Sequence, residues 1–291
     1  MRSSVETPLR LSGSDEVMSA SLLIIVPTLD SYELLSGLVE SLQAQTWTAW
    51  RLLFIDGPSS PAHRHWLRAC CESDNRCTWM EQSSDHPGIF GAMTQGFQMA
   101  GPDDWLLFWG SDDWAAADDV LQQLIASISM EDFGQSGPDL VVSRGRYADW
   151  HGNLGRRCAF GLHASKGVNP APAHDLDAAA FRRRLFLGAT PPHQSTLFCP
   201  KAIQRLSSYR DGLRLTADLD YFLRLSRLEP LKVRLLDLEL VHMGDTGVSG
   251  QQTRRRLREV KCSYRHAFGW RWWIPFVARY LRRLASRFFV L

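Results

Sequence analysis

Residues 105–114 read Trp-Leu-Leu-Phe-Trp-Gly-Ser-Asp-Asp-Trp. The run from Trp105 to Trp109 is apolar throughout, lacks the alternation of a half-exposed strand, and is too short for a buried helix. It predicts a strand covered on both faces, as parallel sheets contain. The chain then turns polar at Gly110-Ser111-Asp112-Asp113. Upstream the same pattern recurs. Ser21 to Val26 (SLLIIV) and Trp50 to Ile55 (WRLLFI) read as strands, the second ended by the turn cluster Asp56-Gly57-Pro58-Ser59-Ser60. Cys77 to Gln82 predicts a third strand, leading into Ser83-Ser84-Asp85-His86-Pro87-Gly88. Helices are predicted between them: Ser31 to Gln45, with Leu34, Leu35, Leu38 and Leu42 at helical spacing, then Pro61 to Ser73 and Ile89 to Ala100. A further helix, Asp118 to Ser129, follows the fourth strand.

This β-α-β-α-β-α-β-α order predicts an α/β fold with a mostly parallel central sheet and helices on both faces. Ligands of such sheets sit outside the carboxyl ends of the strands. Thr28/Asp30, Asp56/Gly57, Asp85/Gly88 and Asp112/Asp113 all fall at that edge. Core packing does not explain four strands that each deliver small or acidic residues there, because buried carboxylates need a cation or strong donors. Beyond Pro138 the pattern is mixed. Strands are predicted at Leu140 to Ser143, Cys158 to Leu162, Thr196 to Cys199 and Lys232 to Leu240, and helices at Phe181 to Leu187 and Ala217 to Arg227.

The 291 residues are 45% hydrophobic and 22% charged, which excludes wholesale disorder. The net charge of +2 is unevenly spread: from Gln251 onward there are eleven Lys and Arg against the single acid Glu259, a net +10, leaving −8 for residues 1–250. The expected organisation is a loose leader (1–20), one catalytic domain (21–250) and a basic tail (251–291). No signal-type apolar run opens the chain and no run approaches the length of a spanning helix, so a cytoplasmic setting is expected. The tail from Trp270 to Leu291 predicts an amphipathic helix. Trp273, Val277, Tyr280, Leu281, Leu284 and Phe288 are at helical spacing, and Arg279, Arg283 and Arg287 lie on the other face. Such a helix, with Trp270, Trp272 and Trp273 clustered, reads as lying on an anionic membrane surface. Packing on the acidic body and nucleic-acid binding are its competitors.

Asp112-Asp113 after a buried strand suits Mg²⁺ or Mn²⁺ that also holds a diphosphate; the alternative is a helix cap. Asp56 reads either as a turn residue or as a carboxylate accepting an imide N–H from a base. Asp218 is either a cap of its helix or a general base aimed into the cleft. His242 is a third metal ligand or a strand-end histidine. His63, His65, Cys70, Cys71 and Cys77 match no structural zinc spacing. There is no GxSxG, GxxxxGK[ST] or GxGxxG, which argues against α/β-hydrolases, P-loop NTPases and dinucleotide-binding oxidoreductases.

Together, IIVPTLD (24–30), SLQAQTW (41–47), FIDGPSS (54–60), SDHPGIFGAMTQGF (84–97), DDWLLFWGSDDW (103–114), PHQSTLF (192–198), ADLDYFLRL (217–225) and GVS (247–249) resemble the family 2 glycosyltransferases over Ser21 to Ser249. The closest likeness is to bacterial enzymes of exopolysaccharide and lipid-linked glycans. The resemblance implies a GT-A fold, a nucleotide-diphospho-sugar donor (a UDP-sugar), a glycan or lipid-linked acceptor, and a Mg²⁺ or Mn²⁺ cofactor. It also implies peripheral attachment to the inner face of the cytoplasmic membrane and no nucleic-acid partner. It places Pro27, Thr28 and Asp30 in the nucleotide pocket, Gly57 beside them, and Asp56 on the base. Asp85, Gly88 and Ile89 would border the ribose and sugar, and His193 and Gln194 would face a sugar. Asp112 and Asp113 would form the DXD-like metal site, with Asp113 the direct ligand, and Asp218 would be the base. Pro87, Gly91 and Thr94 depart from the Asp-Lys-Gly-Ile-Tyr-Asp-Ala-Met-Asn form common among relatives. A nucleotidyltransferase and a non-catalytic, nucleotide-binding membrane adaptor remain as rivals.

Overall fold

The computed structural model describes residues 21–128, 137–149, 151–160, 173–244 and 252–288, the side chains of 285–288 excepted. The leader expected at 1–20 and the 247–249 motif lie outside the described residues. The four expected N-terminal strands form as β1 (Ser21–Thr28), β2 (Trp50–Asp56), β3 (Cys77–Glu81) and β4 (Asp104–Phe108), separated by α1 (Tyr32–Gln43), α2 (Pro61–Ser73) and α3 (Ile89–Met99). All four are parallel, in the spatial order β3-β2-β1-β4. The order reverses between β1 and β4, and the crevice outside the ends of two such strands is where ligands of open α/β sheets bind.

Alternation along the strands builds two cores. Leu22, Ile24, Val26 and Phe54 face α1 and α2, with Leu35, Leu38, Leu42 and Leu67. Leu23, Ile25, Leu53 and Ile55 face the other way, toward Phe97, Phe198, Tyr221 and Phe222. The helix α3 lies close on β1 because position 96 is glycine; a Cβ there would stand 2.5 Å from Ile25 Cδ1.

The second half widens the sheet. It contains β5 (Asp113–Ala115), α4 (Val120–Ala126), β6 (Leu140–Ala148), β7 (Leu154–Cys158), β8 (His174–Asp177), α5 (Ala178–Phe186), β9 (Thr196–Phe198), α6 (Pro200–Arg205), α7 (Ala217–Leu225) and β10 (Lys232–Gly244). The sheet continues β4-β9-β6-β10-β5, with β7 on β6 and β8 on β10. β6 and β10 run with the first four strands, whereas β5, β7, β8 and β9 run against them. Of the strand expected at Cys158 to Leu162, Cys158 ends β7, Ala159 and Phe160 lie beyond it, and residues 161–162 are outside the described residues. Asp149 accepts the N–H groups of His151 and Asn153 at 2.9 and 2.8 Å, closing a tight turn that starts the return strand earlier. The expected tail helix is a pair, α8 (Thr253–Phe268) and α9 (Trp273–Phe288), joined by the short 3₁₀ turn Gly269–Trp272. Gly269, at φ 59°, permits the break.

Candidate active site

The strand ends are tied into one rim. At the end of β1, Thr28 Oγ1 donates to Asp56 Oδ1 at 3.1 Å. Asp30, left-handed at φ 46°, donates its N–H to Ser59 Oγ and accepts that of Ser60, which holds its carboxyl below the usual range. Asp tolerates that conformation better than most residues. Ser111, between β4 and β5, donates to the Pro27 carbonyl at 3.3 Å and accepts from Ser31 Oγ at 2.8 Å. Gly57 donates its N–H to the Thr28 carbonyl.

Asp56 is buried, and its oxygens are taken by the chain's own donors. Besides Thr28, Ser59 Oγ lies at 2.6 Å and Arg64 Nε at 3.3 Å, with the buried His63 imidazole at 3.1 Å. An imide N–H reaching Asp56 has to compete with these donors, three of which converge on Oδ1 and one, Arg64, on Oδ2. Asp85, Gly88 and the side chain of Ile89 are exposed at the mouth of the rim. Gln82 shapes this loop by donating to the carbonyls of His86 and Gly88.

Asp112 and Asp113 follow β4. Asp113 opens β5, paired with Met243 of β10, and its Oδ2 accepts the Gly110 N–H at 2.5 Å. Burial pushes its carboxyl up to about 7; the Asp112 charge adds to this, while the N–H groups of Gly110 and Gly244 oppose it. A Cβ at Gly110 would lie 2.9 Å from Asp112 Oδ1 and 3.3 Å from Asp113 Oδ2, so the glycine leaves open a space bordered by both carboxylates. Two hard oxygen donors beside an open position fit Mg²⁺ or Mn²⁺, which fill their remaining places with phosphate oxygens and water.

His242 is not brought to this pair. On β10, Met243 is opposite Asp113 and His242 is opposite Trp114, so alternation puts the imidazole on the other face of the sheet. There it meets Glu239 at 3.1 Å and the edge of Trp114. The expected third ligand is therefore a strand residue, and no group of three candidate ligands occurs among the described residues.

His193 and Gln194, both expected to face a sugar, are placed differently. Trp109 Nε1 donates to the Gln194 carbonyl at 3.0 Å, fixing that loop beside the end of β4. The His193 ring is buried instead among Phe108, Phe198 and Phe222, with Nε2 at 2.6 Å from the Tyr209 hydroxyl. Burial holds its imidazole down at about 3.

Asp218 occupies the first turn of α7, where N–H groups and the helix dipole favour a negative charge. Burial raises its carboxyl; Arg279, Arg283 and the N–H groups of Leu219 and Asp218 act against that. Asp220, two residues on, is buried and bound by Arg224 Nε at 2.9 Å and Arg210 Nε at 3.2 Å. Asp218, by contrast, has Arg279 and Arg283 of α9 within electrostatic range. Tyr209 lies within electrostatic range of Asp218, and through His193, Gln194 and Trp109 the contacts continue to Gly110 and Asp113.

Three features of this region go beyond the sequence reading. Glu259 of α8 accepts the N–H groups of Arg214, Leu215 and Thr216, the residues that lead into α7. Arg279 of α9 is only 8% exposed and donates to Thr190 Oγ1. Gly188 faces the backbone of Arg279 with no room for a side chain. The tail thus packs on the body with its arginine face inward. Trp273, Val277, Leu281 and Leu284 point outward, at 51%, 46%, 60% and 51% exposure. The signal for Glu259 was its isolation as the one acid among eleven bases.

A sequence model described as "Glycosyl transferase family 2" matches residues 23–187. Glycosyltransferases of PGL/p-HBAD biosynthesis from Mycobacterium bovis and Mycobacterium tuberculosis are 23% identical over 224 residues, 77% of this chain and 77% of theirs. Among solved structures, S. aureus TarS (residues 1–349) superposes with a TM-score of 0.61 at 15% identity, over 91% of this chain and 72% of that one. Its complex with UDP-GlcNAc gives 0.59 at 15% identity, over 85% and 67%. A mannosyltransferase from Pyrobaculum calidifontis, solved with GDP-Man and Mn²⁺, gives 0.56 at 13% identity, over 91% and 75%. At these identities the structural likeness establishes the fold, in agreement with the expected GT-A architecture.

Proposed function

The chain belongs to glycosyl transferase family 2, and from that premise we propose that it moves a sugar, with inversion, from a UDP-sugar to a hydroxyl of a glycan or lipid-linked acceptor. The observation that carries this reading is the separation of roles between neighbouring acids. Asp220 is bound by Arg210 and Arg224, while Asp218 sits raised at the start of α7, linked to the end of β4 only through Tyr209, His193, Gln194 and Trp109. The TarS complex, which contains UDP-GlcNAc, supports a UDP-sugar donor.

The steps follow from the residues. Thr28, Asp30 and Gly57 shape the floor for the nucleotide, and the exposed loop of Asp85, Gly88 and Ile89 borders the sugar. Asp112 and Asp113 would hold the cation, which would neutralise charge gathering on the departing diphosphate. The acceptor oxygen attacks the anomeric carbon opposite the leaving group, and its proton passes to the Asp218 carboxylate. One displacement inverts the configuration. A base of this kind contributes about 10²–10⁴-fold in rate when it lies within hydrogen-bond reach of the hydroxyl.

UDP with Mn²⁺, each well above its dissociation constant, should raise the melting temperature by roughly 5–10 °C, given about 2.7 kcal/mol at a hundredfold excess and about 2–4 °C per kcal/mol. In Asp113→Asn the Mn²⁺-dependent part of the shift should vanish. A wild-type melting curve that ignores UDP and Mn²⁺ together would sink the donor assignment.

The membrane part of the proposal rests on the outward stripe of α9. Exposed Arg254, Arg258, Lys261 and Arg265 lie along neighbouring α8; Lys261 stands 4.8 Å from the Trp272 ring centroid and Arg271 5.2 Å from that of Trp270. Aromatic and apolar groups contiguous with cations fit an anionic bilayer surface, here the inner face of the cytoplasmic membrane. No helix among the described residues is long and apolar enough to cross a membrane. Sedimentation with vesicles containing 30% anionic lipid should carry down the wild type, and Trp273→Ser/Leu281→Ser should cut the bound fraction several-fold. Equal binding of the two proteins would refute this face as the contact.

A further inference from the structure

Asp56 is served unequally at its two oxygens. Oδ1 receives the Thr28 hydroxyl at 3.1 Å and the Ser59 hydroxyl at 2.6 Å, and the His63 imidazole stands 3.1 Å from it. Oδ2 has one donor, Arg64 Nε, at the longer distance of 3.3 Å. A carboxylate oxygen has two lone pairs, so Oδ1 is filled and Oδ2 keeps room for a further donor. Arg64 also reaches Glu81 Oε1, at 2.7 Å, and its side chain is 27% exposed. Oδ2 is therefore the oxygen covered only by a partly exposed side chain.

His63 comes from the first turn of α2 and is wholly buried. Its backbone N–H donates to the cap residue Ser60, which fixes the point from which the ring reaches Asp56. A carboxylate only accepts, so the nitrogen facing it carries a proton. Yet Nε2 is off the line of a hydrogen bond, and Nδ1 has no partner. Around the ring stand Tyr32 of α1, with centroids 6.2 Å apart, and Asp30, whose carboxyl His63 helps to hold low. A buried ring with neither nitrogen bonded is costly, and core packing by itself is better served by an apolar side chain. In unliganded sites such contacts are often loose and tighten when the ligand arrives.

We propose that His63 is a positioning residue for the nucleotide: its imidazole braces Asp56 at Oδ1 so that Oδ2 accepts the N–H of the base. The ring itself touches no part of the donor. It acts through Asp56, and the proposal rests on the UDP-sugar reading above. When the base N–H arrives at Oδ2, Arg64 keeps its bond to Glu81. Thr28, Ser59 and His63 hold Oδ1, so the carboxylate does not turn. Preorganisation of this kind removes part of the ordering cost of binding. If the ring served packing alone, a ring without nitrogens would do as well.

The test is calorimetric titration of the full chain with UDP plus Mn²⁺ and, as the matched probe without a nucleoside, pyrophosphate plus Mn²⁺. His63→Phe keeps a ring in the core and removes both nitrogens. It should weaken UDP at least fivefold and leave pyrophosphate within twofold. His63→Gln returns an amide N–H to the neighbourhood of Oδ1, and should bind UDP at least threefold tighter than His63→Phe. A packing role moves neither the ratio of the two affinities nor the rescue. A smaller loss of UDP in His63→Phe, an equal loss of pyrophosphate, or His63→Gln no better than His63→Phe overturns the positioning role. Should His63→Phe fail to fold by circular dichroism, His63→Asn, whose amide is too short to meet Oδ1, takes its place. UDP at least fivefold weaker in His63→Asn than in His63→Gln supports the role, and a smaller difference overturns it. Wild type that binds pyrophosphate but no UDP would strike the donor reading and this proposal with it. Wild type that binds UDP, beside an unaffected His63→Phe, strikes the positioning role alone.

Discussion

Replacing Asp218 by Asn is expected to lower sugar transfer by about 10³-fold, within the range set by loss of a positioned general base, while UDP binding stays within twofold. The substitution keeps shape and hydrogen-bonding capacity but removes the group that takes the acceptor proton. Asp218 sits in the first turn of α7, so the amide also forgoes a modest favourable interaction with the helix dipole, worth well under the catalytic loss. The matched control is Asp220→Asn. That carboxylate holds Arg210 and Arg224, so its loss should lower the melting temperature while the rate per folded molecule stays within a few-fold. A single-turnover assay with radiolabelled donor separates the two. Transfer at the wild-type rate by Asp218→Asn would remove Asp218 from the chemistry.

Glu259→Ala should have the largest effect on stability. The carboxylate accepts the N–H groups of Arg214, Leu215 and Thr216 at 3.1, 2.8 and 3.1 Å, and pairs with Arg255. Its removal orphans three backbone donors at the entry to α7. A loss on the order of 3 kcal/mol follows even if water reaches some of them, or roughly 6–12 °C in melting temperature. Because these residues deliver Asp218, activity per folded molecule should fall as well. The effect has a pH signature. Burial raises the Glu259 carboxyl, but the N–H groups of Arg214 and Leu215 and the Arg255 charge more than offset it, leaving it below 4.5. A depressed folded value means that the contribution is present above 4.5 and is lost as pH falls through the folded value. The stability gap between wild type and Glu259→Ala should therefore narrow in acid. A gap that is constant from neutral pH down to pH 3 would contradict the carboxylate's role.

What the sequence made legible follows from physics. Strands buried on both faces are written as unbroken apolar runs, so β1, β2 and β4 could be read directly, and with them the edge where Thr28, Asp56 and Asp113 stand. The three residues of β5 are too few to show a period, and its pairing with β10 decides that Asp113 and His242 part company. Helical spacing in α9 grouped Trp273, Val277, Leu281 and Leu284 on one exposed face, but Tyr280, read with them, is half-buried beside Tyr264 and Phe276. Period alone is indifferent to which face turns inward, so Arg279 at the site and Leu281 in solvent needed coordinates. The partners of Glu259 are backbone N–H groups more than forty residues away, and backbone groups carry no residue-specific mark.

His193 has a consequence for kinetics. A histidine near a reaction centre is the usual first suspect when a rate changes around neutrality. This one, sealed among Phe108, Phe198 and Phe222, is uncharged at every pH well above about 3. If turnover declines on the acid side of its optimum, the midpoint of that decline cannot be credited to this imidazole. It is to be sought among acids whose ionisation burial displaces upward, Asp218 foremost.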